Sequence, residues 1–358
     1  MFDKTIRIGR REISQNSPTY FIADIAANHD GDIKRAKELI YLAKEAGADC
    51  AKFQHFLPEK IVSDYGFENL NSCQSHQSNW KKSVFEIYDD YHCKREWTIE
   101  LVKTCKENDI EFMTTPYDFE ILPEINKHVN AYKIGSGDIT WIDFLKEIAK
   151  LNKPVLLASG ASTLEDVKRA MMAINEYNSK VVLMQCNTNY TGNIENYKYI
   201  NLNVLNLFKQ EFPNVILGLS DHTFGYTCTL GAVTLGARVI EKHFTDDNNR
   251  VGPDHKFAMN PKTWKEMVQR TRELEYALGD GIKRIEDNEK NTIIVQRRCT
   301  RLKTSLKKGD IIKQDDIEFL RPAPLDSIFP YEAKKIIGKT INKDKVCGDY
   351  LKFEDINA

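Results

Sequence analysis

Several things are missing from this sequence. No uninterrupted apolar run is long enough for a membrane-spanning helix. The first residues, Met-Phe-Asp-Lys-Thr-Ile-Arg-Ile, lack the pattern of a secretion signal. There is no excess of either charge: 51 Lys and Arg face 52 Asp and Glu, a net charge of −1. Neither a nucleic acid nor an anionic membrane surface is therefore expected as a partner. The eight cysteines, at 50, 73, 93, 105, 186, 228, 299 and 347, include no Cys-x-x-Cys pair. That argues against a zinc knuckle or a disulfide framework and for reduced thiols in the cytoplasm. What is present is ordinary for a globular protein, 41% apolar and 29% charged residues over 358 positions, room for one large domain and a small one.

Short apolar runs alternate with helix-period segments along the first 280 or so residues. After a hairpin-like start over Thr5–Ile13, strands are expected over Tyr20–Ala26, Asp49–Phe56, Glu111–Tyr117, Ala131–Gly135, Pro154–Ser159 and Val181–Cys186. Two more are expected over 215–223 and 238–245. Helices are expected over 33–46, 96–108, 118–127, 141–151, 163–177, 201–211, 226–236 and 261–278. Eight strands alternating with eight helices predict a closed (β/α)8 TIM barrel, with a doubly wound open sheet as the alternative. Two stretches break the cycle. Pro58–His92 is a long polar excursion containing Ser75-His-Gln-Ser-Asn-Trp80, a length used by lids and binding loops but also by small packing helices. After Asp280-Gly281 the chain becomes charged and then shows brief β-like runs with turns. A barrel domain over 1–282, a linker over 283–296 and a small β-rich domain over 297–358 are expected.

The chemistry concentrates at strand ends, where parallel α/β folds build their sites. Ser220-Asp-His222 and Glu241-Lys-His243 close two consecutive strands. Their histidines could share a divalent metal, or simply hydrogen-bond within the core. Lys52, Lys133 and Lys242 lie on strands, accompanied by Ser136, Ser159 and Ser220. A buried lysine needs an answering anion. For Lys52 and Lys133 a phosphate is the favoured one, with the amides of Ile134-Gly-Ser-Gly137 completing its cradle; for Lys242 a barrel carboxylate such as Glu241 is favoured. Asp24, Glu241 and Asp254 are the acid–base candidates, or orienters of a metal's ligands. Residue types and spacing lead this far: a metal-assisted lyase, aldolase or transferase of a phosphorylated substrate.

Six segments, in order, resemble the sialic acid synthase family, which makes nonulosonic acids. They are Ala23-Asp-Ile-Ala-Ala-Asn-His-Asp-Gly31, Lys52-Phe-Gln54, Tyr132-Lys-Ile-Gly-Ser-Gly137, Gly218-Leu-Ser-Asp-His-Thr223, Glu241-Lys-His-Phe-Thr245 and Gly252-Pro-Asp-His255. Arg297-Arg298, Lys307-Lys-Gly-Asp310 and Leu320-Arg-Pro322 resemble that family's antifreeze-like (SAF) domain. The resemblance implies condensation of phosphoenolpyruvate with an N-acetylmannosamine-type sugar in a TIM barrel. A divalent metal would assist, Mn²⁺ first, with Mg²⁺ or Co²⁺ as alternatives. His222 and His243 would hold the metal, which polarises the sugar aldehyde while C3 of phosphoenolpyruvate attacks. Water then adds at C2 and phosphate leaves by C–O cleavage. Asp24, Glu241 and Asp254 would be catalytic. Lys52, Gln54, Lys133, Ser136, Ser159, Thr188, Tyr190, Ser220 and Lys242 would bind substrate. Arg321 would reach from the SAF domain into the barrel of a partner subunit, so a domain-swapped homodimer is implied.

Three departures touch the acceptor. Asp24 stands where the family usually has glutamate, and is expected to act through water. Asn187-Thr-Asn-Tyr-Thr-Gly-Asn193 replaces a Tyr-Pro-x-Pro continuation, and Ala158-Ser-Gly-Ala161 replaces Ser-Thr-Gly-Met. Reaction type is therefore better specified than acceptor. A 2,4-diacetamido-2,4,6-trideoxyhexose, giving legionaminic or pseudaminic acid, and a sugar phosphate stay as alternatives to N-acetylmannosamine. Two more distant readings are a Schiff-base aldolase acting through Lys133 or Lys242, and a non-catalytic sugar-binding descendant.

Overall fold

The computed structural model describes residues 1–70 and 82–357. Ser75–Trp80, which the sequence suggests for a lid, lies outside the described residues. The chain forms two compact units, Met1–Gly279 and Asp280–Ala358.

The first unit opens with an antiparallel hairpin, β1 (Thr5–Ile8) and β2 (Arg11–Ser14). Eight parallel strands follow: β3 (Tyr20–Asp24), β4 (Cys50–His55), β5 (Glu111–Pro116), β6 (Tyr132–Ile134), β7 (Val155–Ala158), β8 (Val181–Cys186), β9 (Ile216–Asp221) and β10 (Ala237–His243). They neighbour one another in chain order, and β10 returns to pair with β3, closing the barrel. Helices Ile33–Glu45, Thr98–Glu107, Leu122–Ile125, Ile142–Lys150, Leu164–Asn175, Val204–Glu211, Thr227–Thr234 and Pro261–Leu278 follow the eight strands in turn. The expected TIM barrel is what forms. Strands covered on both faces read as continuous apolar runs, which is why β8 (Val-Val-Leu-Met-Gln-Cys) shows no polar alternation yet is buried throughout.

Two helices are shorter than the periodicity predicts. Over 118–127 only Leu122–Ile125 is helical, with Pro123 in its first turn, where a missing N–H costs nothing. Over 201–211 the helix begins at Val204, since Asn201 is left-handed at φ 48°. The described residues of the excursion after β4 include short helices Pro58–Ile61, Asp64–Glu68 and Val84–Tyr91. The last is started by a reciprocal cap: the Ser83 hydroxyl accepts from the Glu86 N–H, and the Glu86 carboxylate accepts from the Ser83 N–H.

Period-two alternation sorts each barrel strand into an outward and an inward set. Outward residues such as Phe21, Phe53, Leu157, Leu183 and Ile240 pack under the helices. Inward residues Tyr20, Ile22, Cys50, Met113, Leu156, Val182, Met184, Ile216 and Val239 pack against Ile6, Ile8 and Ile13 of the hairpin, which plugs the N-terminal end. The next inward layer toward the C-terminal end holds Asp24, Lys52, Thr115, Lys133, Ser220 and Glu241, all buried. The barrel is sealed with hydrocarbon below and lined with charge above.

The second unit pairs β11 (Cys299–Leu302) with β12 (Ile317–Leu320) around a core that includes Leu302, Ile312, Ile328, Ile341 and Leu351. Fully buried Asp355 takes ion pairs from Lys343 (2.6 Å) and Lys345 (2.8 Å). Within the stretch read as a linker, Thr292–Gln296 is helical, and the Ile294 carbonyl accepts from the Ala323 N–H at 2.8 Å.

Candidate active site

Strand register builds the site. Asp24 stands opposite both His243 on β10 and Lys52 on β4, and Glu241 stands opposite Ser220 on β9. Lys52 Nζ lies 2.8 Å from Asp24 Oδ2, and donates to Thr115 Oγ1 at 3.3 Å. Lys133 Nζ donates to Glu241 Oε1 at 2.8 Å, and the Ser220 hydroxyl donates to the same oxygen at 3.1 Å. Each of these lysines is thus paired with a buried carboxylate. In so dry a layer an unpaired ammonium would be costly. Asp24 reaches Lys52 directly. Burial works to lower the pKa of Lys52, but Asp24 and Glu241 outweigh it, so the ammonium titrates above its ordinary value. Burial works to raise Glu241, and Lys133 and Lys52 overcome that, holding its carboxyl down at about 2.

Above this layer sit two imidazoles with ring centroids 5.3 Å apart, His222 and His243. His222 Nδ1 is 2.9 Å from the Asn187 carbonyl, which can only accept, so Nδ1 carries the proton and Nε2 presents a lone pair. Burial, then the neighbouring His243, pushes the pKa of His222 well below the ordinary value, keeping the ring neutral. His243 lies between two carboxylates, with Nε2 3.7 Å from Asp24 and Nδ1 3.5 Å from Asp254. Its Nδ1 and Glu241 Oε2 are buried without a hydrogen-bond partner. Imidazole nitrogens and an unspent carboxylate oxygen are donors a divalent transition metal takes. No cluster of three or more His, Cys, Asp or Glu able to hold a metal occurs among the described residues, so water or substrate would have to complete the coordination.

A cavity of about 430 Å³ opens over the site. Gln54, Gly135, Ser136, Gly137, Tyr190, His243 and Asp254 form part of its wall. Ser136 Oγ accepts from the Gly160 N–H at 2.9 Å. A Cβ on Gly160 would lie 2.5 Å from Thr188 Cγ2 and 2.8 Å from Ser136 Oγ, so the β7 and β8 loops close here only around glycine. Thr188 is thereby placed beside Ser136.

Two of the barrel candidates point away from the cavity. Lys242 has outward parity and donates to Asp221 Oδ2 (2.5 Å) and the Thr223 carbonyl (2.7 Å). It is a carboxylate-paired structural lysine, as expected, but its partner is Asp221, not Glu241, and a place among the substrate-binding residues does not follow. Ser159 is also outward, donating to the Met184 carbonyl at 2.9 Å. Arg321 is exposed in the second unit, just after β12.

Other lining residues were not singled out from sequence. Asp138 adjoins the cradle; burial lifts its carboxyl to about 6, and its Oδ2 is buried without a hydrogen-bond partner. Its signal was available, an acid directly after Ser136-Gly137 in a strand-end loop. Ile61, Ile87, Tyr88 and Tyr91 come from the excursion. The Ser83-x-x-Glu86 cap could have placed the helix carrying the last three, though not its direction.

Residues 39–283 match the model of the NeuB family. The N,N'-diacetyllegionaminic acid synthase of Legionella pneumophila is 34% identical over 349 residues, 95% of each chain. The crystal structure of a spore coat polysaccharide biosynthesis protein from Bacillus subtilis is similar over 99% of both chains, with TM-score 0.65 and 28% identity. That of an N-acetylneuraminic acid (sialic acid) synthetase from Leptospira borgpetersenii covers 81% of this chain and 95% of its own, with TM-score 0.70 and 26% identity. A family match over more than half of the chain and relatives of this identity along almost all of it have one reading: the chain belongs to the NeuB family.

Proposed function

We propose that this protein is a nonulosonic acid synthase. It joins C3 of phosphoenolpyruvate to the aldehyde carbon of an N-acetylmannosamine-type amino sugar; water adds at C2, and phosphate leaves with cleavage of its C–O bond. The observation that carries the reading is the convergence, at one barrel mouth, of a lysine–serine cradle with two imidazoles under a cavity of about 430 Å³.

Lys52, Lys133 and Ser220 lie in the buried layer and would meet the phosphate and carboxylate. Ser136 already accepts from Gly160, so its own hydrogen can turn toward an anion. Glu241, held at about 2, stays ionised and positions Lys133 and Ser220 without shuttling a proton. Asp138, at about 6, is better matched to taking and returning a proton near neutrality, with Asp254 beside His243 on the acceptor side. Charge balance supports a metal. Asp24 and Glu241 already match Lys52 and Lys133, while phosphoenolpyruvate adds a carboxylate and a phosphate of about −2. A divalent cation on His222 and His243, Mn²⁺ first and Mg²⁺ or Co²⁺ otherwise, would offset that charge and polarise the aldehyde. A Schiff base through Lys133 or Lys242 is disfavoured, since each ammonium is held by a buried carboxylate, Lys133 by Glu241 at 2.8 Å and Lys242 by Asp221 at 2.5 Å, and is not free to attack.

The second unit, read as an SAF domain, would carry exposed Arg321 to the N-acetyl group in a partner's barrel, making a domain-swapped homodimer. No helix among the described residues is long and apolar enough to cross a membrane. With the relatives' biosynthetic names, that supports a cytoplasmic enzyme.

The test is phosphate release from phosphoenolpyruvate with Mn²⁺ and a panel of N-acetylated amino sugars. Release with at least one sugar, abolished by EDTA and restored by metal, is expected. Metal-loaded protein that releases none overturns the proposal, and borohydride trapping of a substrate on lysine would replace it with the Schiff-base reading.

A further inference from the structure

We propose that the acceptor is an uncharged amino sugar with methyl-bearing substituents away from C2, a deoxygenated C6 or a second N-acyl group, selected by Ile61, Ile87, Tyr88 and Tyr91. The inference rests on the condensation reading above.

The cavity has two unlike walls. One is polar and comes from the barrel. The other is contributed by the excursion and its neighbours, and it presents Ile61, Ile87, Tyr88 and Tyr91 beside Phe56 and Tyr117. Phe56 fixes the aromatic part of that wall, with ring centroids 5.3 Å from Tyr88 and 5.8 Å from Tyr117. Ile61 and Ile87 are half-buried, and neither belongs to the apolar clusters that hold the barrel together. Two isoleucines that face a cavity and support no core are explained by what occupies the cavity. A sugar hydroxyl set against Ile61 or Ile87 would lose water and gain no hydrogen bond from either side chain. A C6 methyl or an acyl methyl buries apolar surface there instead.

Charge rules out the other class of acceptor. Among the described residues lining the cavity there is no lysine or arginine, whereas Asp138 and Asp254 both line it. A sugar phosphate would bring a second dianion toward those carboxylates when Lys52, Lys133 and the metal are already matched to phosphoenolpyruvate.

The test uses the metal-loaded full-length enzyme with phosphoenolpyruvate and three acceptors: N-acetylmannosamine, a 2,4-diacetamido-2,4,6-trideoxyhexose and N-acetylmannosamine 6-phosphate. The expected kcat/KM for the diacetamido sugar is at least ~10-fold above that for N-acetylmannosamine, the usual scale for one or two methyl contacts, with the phosphate ester lowest. In Ile87→Ser the preference over N-acetylmannosamine should shrink by roughly 10-fold; Ile61→Ser probes the same wall if the first variant does not fold. Equal or better turnover of N-acetylmannosamine or its phosphate would sink the inference and leave the condensation reading standing. A preference that persists unchanged in the variants would take the selection away from this wall. Turnover of none of the three overturns both readings together.

Discussion

Replacing Lys133 with methionine keeps most of the stem's volume and removes the cation that Glu241 depends on. The pair is separated by 2.8 Å, and the two side chains are 4% and 5% exposed, so solvent screens it little. Glu241 is held at about 2 against an ordinary value of 4.5. At about 1.4 kcal/mol per pH unit, that difference amounts to roughly 3 kcal/mol of folding stability. Because the folded value is the lower one, this stability is present above about pH 4.5 and is lost as pH falls through about 2. The wild-type contribution is therefore constant across neutral pH. Without Lys133, burial pushes the carboxyl upward, opposed by Lys52 and then His243. Breaking one side of a buried pair costs about 3–5 kcal/mol, and Lys52 keeps the loss near the lower figure. The sign of the pH dependence then reverses: a carboxyl whose folded pKa exceeds the unfolded one loses stability as pH rises, so the variant's deficit should be larger at pH 8 than at pH 5. Urea unfolding read by tryptophan fluorescence reports the right unit, since Trp80, Trp97, Trp141 and Trp264 all lie within Met1–Gly279. Adding Glu241→Gln removes the stranded charge and should recover much of the loss. A Lys133→Met deficit below about 1 kcal/mol, or a double variant no more stable than the single one, would refute this account of the layer.

Lys242→Met should destabilise the barrel by about 3 kcal/mol, since Lys242 pairs with fully buried Asp221. Its KM for phosphoenolpyruvate should stay within about twofold of wild type, whereas Lys52→Met should raise it by roughly 10-fold or more; equal effects on KM would return Lys242 to the pocket. Asp138→Asn tests the proton role. Wild-type kcat/KM should rise through about pH 6 as the carboxyl ionises, and the variant should be lower and lack that step. An unchanged profile would remove Asp138 from the chemistry. Gly160→Ala forces a methyl against Thr188 and Ser136, so KM for phosphoenolpyruvate should rise about 10-fold while circular dichroism shows the barrel intact. A variant with wild-type KM would show that the cradle does not need the close approach.

The barrel was readable because its signals are local and repeated: an apolar run, a polar end, a helix-period segment, eight times over. The converging strand ends followed from topology, since a closed parallel barrel carries every C-terminal end to one mouth. Parity was readable but was not applied. Lys52, Lys133 and Lys242 look alike in sequence, each in an apolar strand near a polar end. Glu241 and His243 point inward, so Lys242 between them must point outward, and the same rule turns Ser159 away beside inward Ala158. Alternation was therefore available for Lys242, but partner identity was not. Asp221 answers it from the neighbouring strand because β9 and β10 place those residues side by side, a register no residue count discloses. Asp138 was hidden differently: its raised pKa comes from burial, which the packing around the β6 loop decides.

The two walls of the cavity are also constrained differently. Asp24 pairs with Lys52 and Glu241 with Lys133 in one buried layer, and Glu241 also acts on Lys52, so a change at any of the four strands a charge on another. Ile61, Ile87, Tyr88 and Tyr91 lie in a segment inserted between β4 and the helix that follows, outside the barrel's alternation. A substitution there alters the surface a sugar meets without unpairing any barrel charge. Acceptor preference can thus change one side chain at a time while the phosphoenolpyruvate chemistry holds still. Relatives near 30% identity can accordingly keep the charged layer and differ in the sugar they take, and the excursion, beside the loops after β7 and β8, is where that difference should map.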